Sequence, residues 1–184
     1  MCSPTPEQEP QAQRLFFALW PSDALRRQLQ RNCKSLLRHT GGRPVPAENL
    51  HITLAYLGST SPRQRACVEA MADAIHCPRF SMWLTESGHW SRPRVLWIAP
   101  AEMPDPLVRL AAQLHDGAGK CGLRLDSRPY CAHVTLKRKL ANIPRNLKFQ
   151  PVRWDADRFV LVHSISQPAG VRYEVIAEWA LGAG

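Results

Sequence analysis

The sequence predicts a fold that mixes strands with helices and is built as two similar lobes around one shared cleft. Three observations predict it. Apolar residues alternate along the chain between a period of two and a period near 3.6, the marks of strands and helices. "RLFFALWP" (14–21) stands before one helical pattern, and "RVLWIAP" (94–100) stands before another. Finally, His-x-Thr-Leu occurs twice, in "HITLAYLG" from His51 and in "HVTLKRKL" from His133. With 7 histidines in 184 residues, random order gives about 0.03 copies of that phrase. From Arg14 to His51 is 37 residues and from Arg94 to His133 is 39. Each half therefore reads strand, helix, His-x-Thr strand, and a pseudo-two-fold pairing of the halves brings both motifs to one cleft.

The elements follow in order. Arg14–Trp20 is aromatic and aliphatic, a buried strand ended by Pro21. Ser22 or Asp23 caps a helix whose Leu25, Leu29, Cys33, Leu36 and Leu37 keep helical spacing. "TGGRPVP" breaks it and leads to the first motif. Ser61 as cap and Pro62 in the first turn start a second helix, expected to end near Cys77. "FSMWLTESGHW" and "RVLWIA" form a strand pair across a turn. A third helix runs from about Asp105 to Cys121 with Leu107, Leu110, Ala111 and Leu114 on one face, and the second motif follows. "RFVLVHSIS" and "VRYEVIAEWAL" supply two closing strands.

Composition narrows the class. Hydrophobic residues make up 45% of the chain, enough for a sizeable core. No apolar run reaches the ~18 residues that a membrane span needs. The start, "MCSPTPEQEPQAQ", is neither basic nor apolar. It reads as a polar, disordered tail over residues 1–13 rather than a signal peptide, leaving 14–184 as one bilobal domain. The six cysteines form no C-x-x-C and lack zinc-site spacing with histidine. They read as reduced thiols in a cytoplasmic protein. The net charge of +9, from 24 Lys and Arg against 15 Asp and Glu, favours a polyanionic partner such as nucleic acid.

Strand parity separates the motif side chains. His51 and Thr53 point to one face, with Ile52, Leu54 and Tyr56 on the other, so Tyr56 is expected in the core. In the second copy His133, Thr135 and Lys137 share a face opposite Val134 and Leu136. Imidazole exchanges protons near neutral pH, and a threonine hydroxyl two residues on can bond an anionic oxygen beside it. Two such units facing each other supply an acid, a base and two hydroxyl donors. That set suits in-line displacement at phosphorus without a metal or other cofactor.

On these residues the chain resembles the 2H phosphoesterases, named for two H-x-T/S motifs. Within them it is most similar to the bacterial and archaeal RNA 2′,3′-cyclic phosphodiesterases, historically called 2′-5′ RNA ligases. The resemblance runs from Arg14 to Leu181 through "RLFFALWP", "HITLAYLG", "RPRVLWIAP", "HVTLKRK" and "GVRYEVIAEWAL". It departs at Ala132, where the family pattern has proline before the second histidine. The resemblance implies a bilobal, pseudo-two-fold α+β fold, with antiparallel sheets flanking a central cleft and helices outside. It implies hydrolysis of an RNA 2′,3′-cyclic phosphate to a 2′-phosphate. His51 would be the proton donor to the departing 3′ oxygen and His133 the base that activates water, a distinction that motif symmetry alone leaves open. Arg138 matches a basic position after the second motif and is expected to contact phosphate. Tyr130 and Trp90 are candidates for stacking on a base, with core packing as the competing role. The expected partners are RNA with cyclic phosphate ends or cyclic nucleotides, with no membrane, and the chain is expected to act as a monomer. Two rival functions are joining of RNA ends through a 2′-5′ linkage and non-catalytic binding of RNA ends.

Overall fold

The computed structural model describes residues 11–38, 40–141, 148–168 and 170–182. Among them lie nine strands in one sheet: β1 Gln13–Leu19, β2 Arg43–Pro44, β3 Ile52–Thr60, β4 Phe80–Trp90, β5 Val95–Pro100, β6 Val134–Arg138, β7 Val152–Ala156, β8 Arg158–Gln167 and β9 Gly170–Ala180. The helices are α1 Asp23–Asn32, α2 Lys34–Arg38, α3 Pro62–Asp73 and α4 Asp105–Lys120, with a 3₁₀ turn at Ala47–Asn49.

The strand order is β7-β4-β5-β6-β3-β1-β8-β9, with β2 added beside β6. Among the described residues the strands pair antiparallel. This is the expected α+β architecture with one refinement. The two lobes are four-stranded wings of a single sheet, and they meet where β3 and β6 pair at Ile52↔Val134 alone. Beyond that pair β2 takes the place of β3 beside β6, at Arg43↔Arg138 and Pro44↔Lys137.

The internal repeat is visible residue by residue. In the first wing Leu19 faces Ile52, Ala18 faces Thr53 and Phe17 faces Ala55. In the second, Ile98 faces Val134, Trp97 faces Thr135 and Leu96 faces Lys137. Each motif strand skips one residue, Leu54 in β3 and Leu136 in β6. The leucine of His-x-Thr-Leu is thus a bulge in both copies, two residues opposing one on the neighbour.

The bulge overturns two parity expectations. Past it, the next residue stays on the core side, so Leu54 and Ala55 are both buried, as are Leu136 and Lys137. Tyr56 is pushed out of the core to 52% exposure. Lys137 leaves the face of His133 and Thr135; its ammonium donates to the carbonyls of Leu37, at 2.7 Å, and of Thr40. A lysine at the end of α2 satisfies helix carbonyls that lack intrahelical partners.

The main core lies between the sheet and the helices and includes Phe17, Ile52, Leu96, Ile98, Leu114, Val134 and Trp154. A smaller cluster of Phe16, Ala18, Val160 and Val162 covers the opposite face of the first wing, with Trp20 and Tyr173 packed on it. The helices cross between halves: α1 packs on β7, whereas α4 packs on β3 and on α3.

Local signals explain most of the element boundaries. Ser22 caps α1, accepting from the Leu25 N–H at 3.3 Å. Ser61 and Gln64 form a reciprocal capping box on α3. The first helix is broken at Cys33, which caps α1 before α2 resumes. The second ends at Asp73 instead of near Cys77: the N–H groups of Ala74 and Ile75 donate to the carbonyls of Met71 and Ala72 at 3.2 and 3.1 Å, a tighter closing turn, and the chain beyond it accepts at the Cys77 carbonyl from the Gly182 N–H at 2.8 Å. Residues 1–10 of the expected tail lie outside the described residues, and Gln13 already belongs to β1, its side-chain oxygen accepting from Arg65 at 3.0 Å. The expectation of six reduced thiols is also corrected. Cys67 on α3 and Cys121 at the cap of α4 form a disulfide, their Cα atoms 5.8 Å apart. The packing of α3 on α4 brings together cysteines 54 residues apart, a pairing that no local pattern announces.

Candidate active site

Both motif histidines sit just ahead of their strands, at the junction of the wings. Extending the Ile52↔Val134 register by one residue sets His51 across from Thr135 and Thr53 across from His133. Ile52 and Val134 are fully buried in the main core. The four polar side chains therefore project together from the other face.

The two imidazoles are anchored alike. The Nδ1–H of His51 donates to the carbonyl of Asn49 at 2.7 Å, and the Nδ1–H of His133 donates to the carbonyl of Cys131 at 2.9 Å. A carbonyl only accepts, so each Nδ1 carries the hydrogen and each Nε2 is left for chemistry. His51 Nε2 lies 3.1 Å from Thr53 Oγ1, which donates to it while the ring is neutral. Asn49 is itself fixed: it is buried, and its amide donates to the Val171 carbonyl of β9 at 2.9 Å.

The walls differ between wings. His51 packs among aromatics, with Phe16 at 4.9 Å, Trp20 stacked at 5.6 Å and the edge of Tyr173 at 5.2 Å between ring centroids. His133 meets Trp90 edge to face at 4.6 Å, and Trp90 leans on Trp97 at 5.4 Å. Trp90 is therefore a half-buried wall of the site and not a core residue. Beyond the bulges, Tyr56 and Arg138 occupy equivalent positions on the cleft side of β3 and β6, an aromatic on one wing and a cation on the other.

Burial lowers the proton affinity of both histidines. Removal from water holds His51 down to about 4; the Asn49 carbonyl opposes this, while the Arg138 and His133 charges add to it. His133 is lowered by the same desolvation and by Arg138, against the Cys131 carbonyl. Arg138 thus lies close enough to act on both rings. At neutral pH the site holds two neutral imidazoles beside an arginine, an arrangement that favours an anion.

Of the expected site residues, the structure brings together His51, Thr53, His133, Thr135 and Arg138. Tyr130 is placed otherwise: its ring packs against the main core, and its hydroxyl is buried with no hydrogen-bond partner among the described residues. Sequence reasoning missed Phe16, Trp20, Tyr173 and the two anchoring carbonyls. A carbonyl has no side-chain signature, and Phe16 and Trp20 read as ordinary strand residues. Tyr173 lies 122 residues from His51 in the chain and reaches it only through β8–β9 pairing. Among the described residues no group of three or more His, Cys, Asp or Glu side chains converges to hold a metal. No helix among them is long and apolar enough to cross a membrane.

Comparison with known proteins agrees with this geometry. The model of the 2′-5′ RNA ligase superfamily matches residues 19–167. The RNA 2′,3′-cyclic phosphodiesterase of Escherichia coli (strain K12) is 33% identical over 92% of this chain and 97% of its own. That of Archaeoglobus fulgidus is 31% identical over 88% and 96%. Crystal structures of E. coli LigT superpose with TM-score 0.83, at 31% identity in the apo form (94% of this chain, 99% of that one) and 32% in complex with 3′-AMP (92% and 98%). The chain belongs to the 2′-5′ RNA ligase superfamily, the family that its two His-x-Thr motifs resemble.

Proposed function

We propose that this chain is an RNA 2′,3′-cyclic phosphodiesterase, a hydrolase that opens a terminal cyclic phosphate to a 2′-phosphomonoester and a free 3′ hydroxyl. The observation that carries the reading is the meeting of both His-x-Thr segments at Ile52↔Val134, each imidazole held at Nδ1 by a backbone carbonyl, so that Nε2 is the proton-exchanging nitrogen, met in His51 by the Thr53 hydroxyl. Neutral His133 takes a proton from water as the oxygen attacks phosphorus. His51, protonated once the anion is bound, gives its proton to the departing 3′ oxygen. Thr53, Thr135 and Arg138 hold the non-bridging oxygens, where their donors offset the charge developing on phosphorus. The names of the E. coli and A. fulgidus relatives and the 3′-AMP held by the similar E. coli structure support this substrate class. A single bilobal unit over 14–184, acting as a monomer, belongs to the same reading, since both histidines come from one chain; so does a cytoplasmic location, where the Cys67–Cys121 disulfide is open to reduction. Tyr130, packed against the core, has no part in it.

The test is incubation with a 2′,3′-cyclic nucleotide and identification of the product. A 2′-phosphate is expected. A 3′-phosphate, or no turnover, overturns the reading. Turnover should survive EDTA, because the acid and base are side chains; loss on chelation with rescue by one divalent ion contradicts that. The superfamily's name favours a second reading, joining of cyclic-phosphate and 5′-hydroxyl RNA ends through a 2′-5′ linkage. An end-joining assay on those substrates separates the two.

A further inference from the structure

Arg138 has a cationic neighbour that the chemistry above does not use. In the β2–β6 ladder Arg43 stands directly opposite Arg138, and directly opposed residues of antiparallel strands share a face. Two like charges in that position oppose sheet formation. Neither arginine has a carboxylate partner among the ion pairs of the described residues.

The pair continues into a rim. The β4–β5 turn carries Arg92 and Arg94, and the Leu140 N–H donates to the Arg94 carbonyl at 3.1 Å, tying that turn to the end of β6 where Lys139 follows Arg138. All five cations are exposed. The segments that hold them, 41–47, 91–95 and 137–141, contain no Asp or Glu. Arg94 and Lys139 also have left-handed backbone, at φ 62° and 57°, a conformation uncommon for such residues and one that a loop with freer choice would assign to Gly or Asn. The rim spans the edges of three adjacent strands, about 10 Å at the usual strand spacing. Arg138, on the middle strand of the three, links the rim to the site.

We propose that Arg43, Arg92, Arg94 and Lys139 form a track for the phosphodiester backbone of the RNA strand that leads to the cyclic end. A run of cations without carboxylates, opening from the reaction centre, matches a chain of regularly spaced phosphates. A single nucleotide carries one phosphate, which in this reading the threonines and Arg138 already hold. This rests on the phosphodiesterase reading and adds a preference for oligonucleotides over mononucleotides.

The experiment compares the wild-type chain with two variants. The rim variant carries Arg43→Gln, Arg92→Gln, Arg94→Asn and Lys139→Asn, with Asn chosen where the backbone is left-handed. The control carries Arg27→Gln, Arg31→Gln, Arg63→Gln and Lys120→Gln, which removes the same number of exposed charges from the helices. Each is assayed for turnover of 2′,3′-cyclic AMP, and for anisotropy-measured binding of a labelled oligoribonucleotide ending in a 2′-phosphate across a salt series. The rim variant is expected to keep mononucleotide turnover within about twofold, which also reports its folding. It should lose about tenfold or more in oligonucleotide affinity, with a shallower salt slope, since each lost phosphate contact removes about 0.7 from a single-strand slope. The control should keep both. Equal losses in the two variants, unchanged oligonucleotide binding by the rim variant, or a parallel fall in mononucleotide turnover would each overturn the track. If the wild type turns over no 2′,3′-cyclic substrate, the phosphodiesterase reading fails, while the binding series still decides the track.

Discussion

Each motif histidine is held by the carbonyl two residues before it, and burial then leaves both rings neutral. For His51 this has a measurable cost. Its affinity for protons is low in the native chain, about 4 against an ordinary 6.5. Between those values the unfolded chain binds the extra proton and the folded chain does not, so stability must fall as pH drops from about 6.5 to 4 and level off below. Denaturant titrations of the ligand-free protein should show this slope, and His51→Asn should flatten it. An unchanged slope in that variant would mean that the ring is not buried as described. The same balance explains why His51 can serve as an acid only when occupied: a bound anion beside Nε2 reverses the penalty.

At the scale of elements, the site depends on features that put side chains where simple alternation would not. The Leu54 and Leu136 bulges send Tyr56 and Arg138 to the cleft and Lys137 to the end of α2. Gly88 does comparable work on β4. It pairs with Trp97, and a Cβ there would stand 2.3 Å from the indole ring. Gly88→Ala should push Trp97 against Trp90 and so disturb His133. The expected result is a loss of about 1–3 kcal/mol in stability together with reduced turnover, read by thermal melting and steady-state assays; wild-type values in both would contradict the packing. The regular elements were legible because caps and periodicity announce them: Ser22, the Ser61–Gln64 box and the α4 stripe all did so. The bulges were not, because leucine carries no bulge signal and a two-residue count runs straight through it. Tyr56 was therefore assigned to the core and Lys137 to the cleft. The short β2 and β7 strands, which lie outside any long periodic run, were missed for a related reason. The two histidines were legible because a rare phrase was written twice.

At the scale of the molecule, one site is assembled from two halves, with the helices on the far side of the sheet. The Cys67–Cys121 disulfide joins α3 to α4 on that far side. Reduction should lower stability by about 2–4 kcal/mol, as loss of such a cross-link does, while cyclic-nucleotide turnover at 25 °C stays near its oxidised value. A parallel collapse of turnover would mean that the helical layer controls the cleft. The central claim is that both halves act on one phosphorus, and turnover of a 2′,3′-cyclic nucleotide by His51→Ala, His133→Ala and the double variant tests it most directly. Each single change should lower turnover by about 10²–10⁴-fold, the usual worth of a positioned acid or base. The double variant should fall far short of the product of the two losses, because both groups serve one displacement. Thr53→Ala and Thr135→Ala should cost less, since they leave both proton carriers in place. A folded single-histidine variant that keeps near-full turnover, or a double variant whose loss equals the product, would contradict the account.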